Sequence, residues 1–342
     1  MDNKRIAFSS FDTQCTTFIK GIAIILMVVH HLWGFNDIKD FSGFWSNIGP
    51  LMIALGKAGK ICVAIFAFIS GYGIYCSYSK HNKYSTLLKK VEKTFVMFWK
   101  IAIPFLITLF ILPIIPFNIV DFVKNLFCIS CSYNGTWWYL NTYIIYIIIF
   151  PIVFYALKNK LLTIILCLIS IPICRYLSYI VFENGYNIYF YYFLYYLPIF
   201  VIGSIFARFN LLNKLTLNGQ IRPNKTLFLY IFISFALIIL RLITGITEIL
   251  FILTPCFMLC FIQKPIPMNR FVKVVLYIGK MSMGIWIIHY FFIEQIPVRA
   301  ITNNCVLQFI FVFGCSLLYV LLIKYIYKLI NNSILSRTSI KH

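Results

Sequence analysis

The stretch FIKGIAIILMVVHHLWGF, Phe18 to Phe35, decides the fold. It is apolar over the length of a bilayer-crossing helix. Yet it carries Lys20 near one end and the adjacent pair His30 and His31 past its middle. An ionisable side chain inside hydrocarbon costs a few kcal/mol or more, so it marks a function by default. At about 100° per residue, the eleven positions from Lys20 to His31 fall within ~20° of whole turns, with a rise of ~16 Å. Lysine and imidazole therefore share one helix face, the first near a membrane surface and the second about halfway across. His30 is turned ~100° away. In the bland alternative, Lys20 snorkels to the headgroups and both histidines bond to backbone carbonyls. Two histidines in succession in hydrocarbon favour the functional reading.

Working outward, the composition excludes a soluble protein. Hydrophobic residues make up 61% of the 342 and charged residues 11%, against about 25% charged in soluble chains. Long apolar stretches recur throughout, which predicts an all-α polytopic membrane protein, a bundle of about ten transmembrane helices. The spans read as 16–35, 58–78, 95–116, 137–156, 161–182, 187–207, 226–243, 248–263, 271–294 and 305–328. The stretch 248–263 is short and holds Pro255, which predicts a broken or re-entrant segment. The longest connections, 36–57, 117–136 and 208–225, leave no room for an appended soluble catalytic domain. A single transmembrane domain, 1–342, is expected, with any chemistry among the helices. The opening MDNKRIAFSSFDTQ lacks a cleavable signal pattern, so the first span should be retained.

A net charge of +21 invites a nucleic-acid partner. The basic residues lie between apolar spans and not along a soluble groove, which excludes that class. With the amino terminus in the cytoplasm, the inner segments hold 17 basic residues, among them Lys4, Arg5, Lys80, Lys83, Lys89, Lys90, Lys93, Arg222, Arg337 and Lys341. The outer segments hold four, Lys39, Lys57, Lys124 and Arg299. That asymmetry predicts a multi-pass protein of a cell membrane with both termini on the cytoplasmic side.

Within the spans the ionisable residues are Lys20, His30, His31, Lys60, Lys100, Arg175, Arg241, Lys280 and His289; no carboxylate lies deep. A carboxylate proton relay is thereby disfavoured, and the positive interior suits an anionic ligand or a developing negative charge. His289, in IGKMSMGIWIIHYFF, reads either as lining the cavity of His31 or as an interfacial residue beside Tyr290. Ser282, seven positions earlier, shares its face, and Lys280 is about opposite. Arg175 and Arg241 read as anion or sugar ligands or as snorkelling cations, Arg175 being the deeper. Ser70 and Gly71 in FAFISGYGIY either let helices approach or leave room for substrate. Trp138, between Trp137 and Tyr139, fits the aromatic belt or a sugar-stacking surface. The CISC run, Cys128 to Cys131, has no second CxxC or loop histidine beside it, so no metal is expected. It reads as a disulfide or as two plain thiols. Asn134-Gly-Thr136 fits a glycosylation acceptor, a motif too common to carry weight.

Four stretches together resemble the acyltransferase-3 membrane proteins: Lys20 through His31, FAFISGYGIY, TWWYLNTYIIY and IGKMSMGIWIIHYFF. They are distributed over nearly the whole chain. The resemblance implies an O-acyltransferase moving an acyl group, usually acetyl, from cytoplasmic acyl-CoA (acetyl-CoA) to an acceptor outside, a cell-envelope polysaccharide or its lipid-linked glycan precursor. It makes His31 the essential histidine and Lys20 its basic partner, a catalytic and cofactor-binding residue. The reading of the spans themselves, beside the resemblance, offers Ser70, Arg175, His289, Ser282 and Trp138 as substrate-binding positions. Arginine is commoner than lysine at the Lys20 position; lysine keeps the charge and loses the bidentate fork. Some relatives append an esterase-like domain; this chain is expected to act alone or with separate polysaccharide biosynthesis proteins. The composition, rich in Ile, Asn, Lys and Tyr, suggests a genome low in GC, and a bacterial inner membrane is the default expectation. The alternative from another class is an exporter or flippase of a glycan or lipid-linked sugar.

Overall fold

Asp12 starts the first helix by accepting the Cys15 N–H at 2.7 Å, and the helix α1 then runs Thr13–Trp33. The computed structural model describes residues 6–185, 188–219, 223–296 and 298–339. Lys4, Arg5, Arg222 and Lys341 of the charge count lie outside the described residues. After α1 come α2 (Phe44–Gly59), α3 (Ile61–His81), α4 (Tyr84–Ile111) and α5 (Ile119–Leu126). Helices α6 (Trp138–Lys158), α7 (Lys160–Glu183), α8 (Ile188–Arg208), α9 (Leu211–Gly219) and α10 (Pro223–Thr244) follow. The chain ends with α11 (Leu250–Cys260), α12 (Arg270–Ile288), α13 (Phe291–Glu294), α14 (Val298–Ile301) and α15 (Cys305–Ser339). Strands β1 (Ile6–Phe8) and β2 (Ile266–Pro267) pair antiparallel. They clip the start of α1 to the connection before α12.

Among the described residues, nine helical segments are long and apolar enough to cross a membrane. The protein is an all-α polytopic membrane protein. The segment expected at 248–263 is the eleven-residue α11, which contains Pro255. At 1.5 Å per residue it reaches ~16 Å, about half the hydrocarbon thickness.

The segments between spans are more helical than their polarity predicts. The expected loop 36–57 contains most of α2, and Lys60 alone separates α2 from α3. α4 begins at Tyr84, so the lysine-rich stretch expected as a connection forms its first turns. Lysine and leucine are good helix formers, so charge marks a membrane boundary without ending a helix. The expected loops 117–136 and 208–225 contain α5 and α9. The span expected as 271–294 breaks where α12 stops at Ile288 and His289 takes the C-cap.

Two reciprocal glycine contacts set the spacing of the central helices. A methyl on Gly279 of α12 would overlap the Thr17 carbonyl oxygen of α1, and one on Gly21 would overlap that of Val275. On α3 and α8, Gly71 and Gly203 stand likewise against the Phe200 and Phe68 carbonyls. Small residues let backbones approach closely, so dispersion between helix faces replaces the hydrophobic drive that lipid removes. The register of α1 against α12 matters most, because both helices carry site residues.

Candidate functional site

Gly21 and Gly279 face each other, a Cβ on Gly279 falling 3.1 Å from the Gly21 nitrogen. Ten residues further along each helix stand His31 and His289. Equal rise of ~15 Å on two helices running the same way brings the imidazoles together. His31 Nδ1 lies 2.8 Å from His289 Nε2. His289 is fully buried, whereas His31 is partly open. The sequence puts His289 on the face of Ser282 and leaves it either in the cavity of His31 or at the interface; the packing of α12 on α1 makes it the partner of His31.

The partners dictate the protons. His289 Nδ1 lies 2.9 Å from the Trp286 carbonyl and 3.2 Å from that of Ile285. A carbonyl only accepts, so Nδ1 of His289 carries the hydrogen and its Nε2 presents a lone pair. His31 Nδ1 must then donate to that lone pair. Nε2 of His31 is left as an unprotonated lone pair, the form a general base requires. Phe35 stacks on the His31 ring at 6.2 Å, and the Tyr290 ring meets it edge-on at 5.4 Å.

The last turn of α12 is held from outside. Trp137 Nε1 and Asn134 Nδ2 both donate to the Ile287 carbonyl, at 3.0 and 3.1 Å. Asn134 is buried, and its Oδ1 accepts from the Thr136 N–H and hydroxyl. The apparent glycosylation motif is thus an internal clamp on the His289 turn. Nothing in the motif itself distinguishes the two roles; burial does.

Beneath the histidine pair, a chamber of about 210 Å³ is lined by Lys20, Ser70, Ser282, Met27, Tyr139 and Trp286, among others. The structure therefore gathers Lys20, Ser70 and Ser282, which come from three helices. Met27 is one turn before His31, and Trp286 is three residues before His289. The next turn of each helix beyond the chamber delivers the two imidazoles. No carboxylate lines the chamber. Tyr139, Tyr143 and Thr94 also line it, and the sequence does not single them out. The TWWYLNTYIIY stretch contains the signal for the tyrosines, but α6 is apolar around its circumference, so its inward face is not legible.

Three expected site residues lie elsewhere. Trp138 stacks on Tyr192 of α8 with centroids 4.2 Å apart and does not line the chamber. Arg175 pairs with Glu248 at 2.8 Å, donates to Thr247 at 2.9 Å and stacks 3.7 Å from the Tyr195 ring. Arg241 is buried and donates to the Lys57 carbonyl at 2.8 Å. Lys100 and Lys280 are exposed on the flanks of the bundle. His30 is tied by Nδ1 to the Gly56 carbonyl at 2.8 Å, facing α2 and not the chamber.

Cys128 and Cys131 are unbonded to each other and buried. Burial pushes both thiols up, Cys131 to about 11, so they are neutral thiols. Among the described residues no group of three or more His, Cys, Asp or Glu is gathered.

The family model described as an acyltransferase domain matches residues 16–329. No curated protein and no solved structure matches. The match runs from the start of α1 through most of α15 and contains every residue of the chamber and the histidine pair. The chain belongs to the acyltransferase-3 family of membrane acyltransferases.

Proposed function

We propose that this acyltransferase is an O-acyltransferase of the bacterial inner membrane, moving an acyl group, acetyl first among them, from cytoplasmic acyl-CoA to a hydroxyl of an envelope polysaccharide or its lipid-linked precursor. The observation that carries this reading is the relay from the Trp286 carbonyl through His289 to His31, which leaves His31 Nε2 as a free base. The acceptor hydroxyl gives its proton to that nitrogen as its oxygen attacks the thioester carbonyl. The carbon–sulfur bond then breaks, and the departing thiolate takes the proton back from His31. His289 stays neutral and holds the His31 ring throughout, the orienting role that the acid plays in a serine hydrolase triad.

Lys20 has a different task. Its Cα stands ~16 Å from that of His31, and helical side chains lean toward the amino-terminal end. Lys20 thus points away from the reacting carbonyl and toward the entering donor. It acts on the donor's arm or phosphates, and Ser70 and Ser282 line the way between. An exporter would need a passage for a sugar. At 210 Å³ the chamber is below the ~300–1,000 Å³ of ordinary small-ligand pockets, which favours a channel for an acyl arm instead.

The test uses protein purified in nanodiscs with radiolabelled acetyl-CoA, and membranes of the producing cell as acceptor. Label transfer by the wild type and none by His31→Ala supports the reading. Equal transfer by both, or substrate translocation independent of acyl-CoA, would overturn it.

A further inference from the structure

A second group of cations stands apart from the chamber, where α2 meets α3. α2 runs antiparallel to α1. Gly56 lies against Gly34, and a methyl on Gly59 would fall 2.6 Å from the Leu26 carbonyl oxygen and 3.2 Å from His30 Cβ. Lys60, the next residue, is therefore set at the level of His30. The Lys60 N–H reaches the Lys57 carbonyl at 3.3 Å, and the Arg241 guanidinium of α10 donates to the same oxygen at 2.8 Å. The Tyr195 ring of α8 joins Lys60 to a third cation. The ammonium lies 6.0 Å from its centroid and the Arg175 guanidinium 3.7 Å.

Among the described residues the ion pairs are Lys39–Asp37 and Arg175–Glu248. Glu248 thus neutralises Arg175, while Lys60 and Arg241 have no carboxylate. Arg241 is 8% exposed, and its Nε has no hydrogen-bond partner. The bond to the end of α2 accounts for Nη1 of the guanidinium and leaves Nε and the Lys60 charge unexplained. Two unneutralised cations inside a membrane bundle are costly and repel each other, and a bound anion removes both costs.

The surroundings say what carries the anion. α7 continues eight residues past Arg175 to Glu183, ~12 Å further along its axis. The turn between α10 and α11 holds Thr247 and Glu248, which both bond Arg175, so it is sunk by that amount below the end of α7. The short α11 leaves a notch over this turn. Its flanks are α7 and α10, where Ile173, Leu177, Leu240 and Ile243 are exposed. A hydrocarbon chain can lie along those flanks while its head group faces the cations. On the α1 side the cluster borders His30, and the exposed Phe35 ring meets both imidazoles, at 4.9 Å for His30 and 6.2 Å for His31.

We infer that Lys60 and Arg241 hold the phosphate of a lipid-linked glycan, seated over the α10–α11 turn, so that the acceptor is the membrane-borne precursor and not the finished polymer. The inference rests on the acyltransfer reading above and narrows its acceptor. The phosphate bridges ammonium and guanidinium through charge-assisted hydrogen bonds. The lipid chain lies along α7 and α10, and the sugars extend past Phe35 toward His31.

The experiment titrates the purified full chain in a nonionic detergent with polyprenyl phosphate and counts bound lipid by native mass spectrometry. Wild type is expected to bind one molecule, and Lys60→Gln to weaken binding about tenfold or more, from lost charge-assisted hydrogen bonding. Arg241→Gln should weaken it at least as much, and Lys60→Arg should bind like wild type. Polyprenol, which lacks the phosphate, should bind wild type and Lys60→Gln alike. In the transfer assay Lys60→Gln should raise the KM for the lipid-linked acceptor and leave that for the donor nearly constant. Equal binding by wild type, Lys60→Gln and Arg241→Gln would overturn the assignment while leaving acyl transfer intact. So would phosphatidylglycerol or inorganic phosphate bound as tightly and with the same need for Lys60, which would make the cluster a general headgroup or phosphate site. Polyprenyl phosphate binding that needs both cations, with no acyl transfer by any variant, would instead overturn the acyltransfer reading and keep the phosphate site.

Discussion

His30 and His31 are chemically identical and adjacent, and the two faces of α1 make them unlike. On one face His30 meets α2, where its Nδ1 bonds the Gly56 carbonyl. Gly34 and Gly56 bring the two backbones close there, so a methyl on Gly56 would overlap the Gly34 nitrogen. On the other face His31 meets α12 and a second imidazole, whose own carbonyl partners decide which nitrogen is free. A histidine bonded to a carbonyl is a packing element with a fixed proton. One bonded to another histidine's lone pair keeps its own Nε2 lone pair free, the arrangement a positioned base needs. The difference lies in the neighbour that packing supplies, not in the residue.

The comparison breaks most sharply at His31. His31→Ala should lower acyl transfer by about 10²–10⁴, the range that a general base contributes, while membrane expression and thermal unfolding stay near wild type. If His30→Ala lost as much, the two faces would not be distinct. His289→Ala should come next, at about tenfold to a hundredfold less than wild type, because the His31 ring loses the group that holds its Nδ1 proton. His289→Gln, whose carbonyl oxygen can accept the same hydrogen, should recover part of that loss. Equal activity of the alanine and glutamine variants would show that His289 acts only by filling space.

Gly279→Ala tests whether the α1–α12 approach sets the pair. The added methyl meets backbone, which cannot move aside, so a destabilisation of about 1–3 kcal/mol is expected along with reduced transfer. Normal activity with a lowered melting temperature would detach the glycine contact from the catalytic register. The smallest effect is expected at His30. His30→Ala removes one buried hydrogen bond, about 1 kcal/mol net, and should reduce transfer only a few-fold through looser α1–α2 packing.

Much of the site is legible in the amino-acid sequence. Helical periodicity puts Lys20 and His31 on one face, and the same arithmetic puts Ser282 with His289. The connections are less legible, because α2, α5 and α9 are helices whose partners, not their hydropathy, hold them in place. Within TWWYLNTYIIY the three consecutive aromatics divide by contact: Trp137 clamps the Ile287 carbonyl, Trp138 stacks on Tyr192, and Tyr139 lines the chamber. On an all-apolar helix no periodic signal ranks such neighbours. Arg175 reads as open to an anion because Glu248 is 73 positions away, too far along the chain for pairing to be inferred.

The sequence by itself determined that the chain is a helical membrane protein, that its spans carry cations and imidazoles without a deep carboxylate, and that Lys20 and His31 share one face of α1. Those properties follow from transfer energies and a local 3.6-residue period, both carried by neighbours along the chain. The tertiary structure alone decided that His31 donates to His289, that Lys20, Ser70 and Ser282 share one chamber, and that Lys60 and Arg241 both reach the Lys57 carbonyl beside His30. The His31–His289 bond joins residues 258 positions apart. Such a contact depends on how closely two helices can approach, which glycines at the crossing set and which no local pattern records.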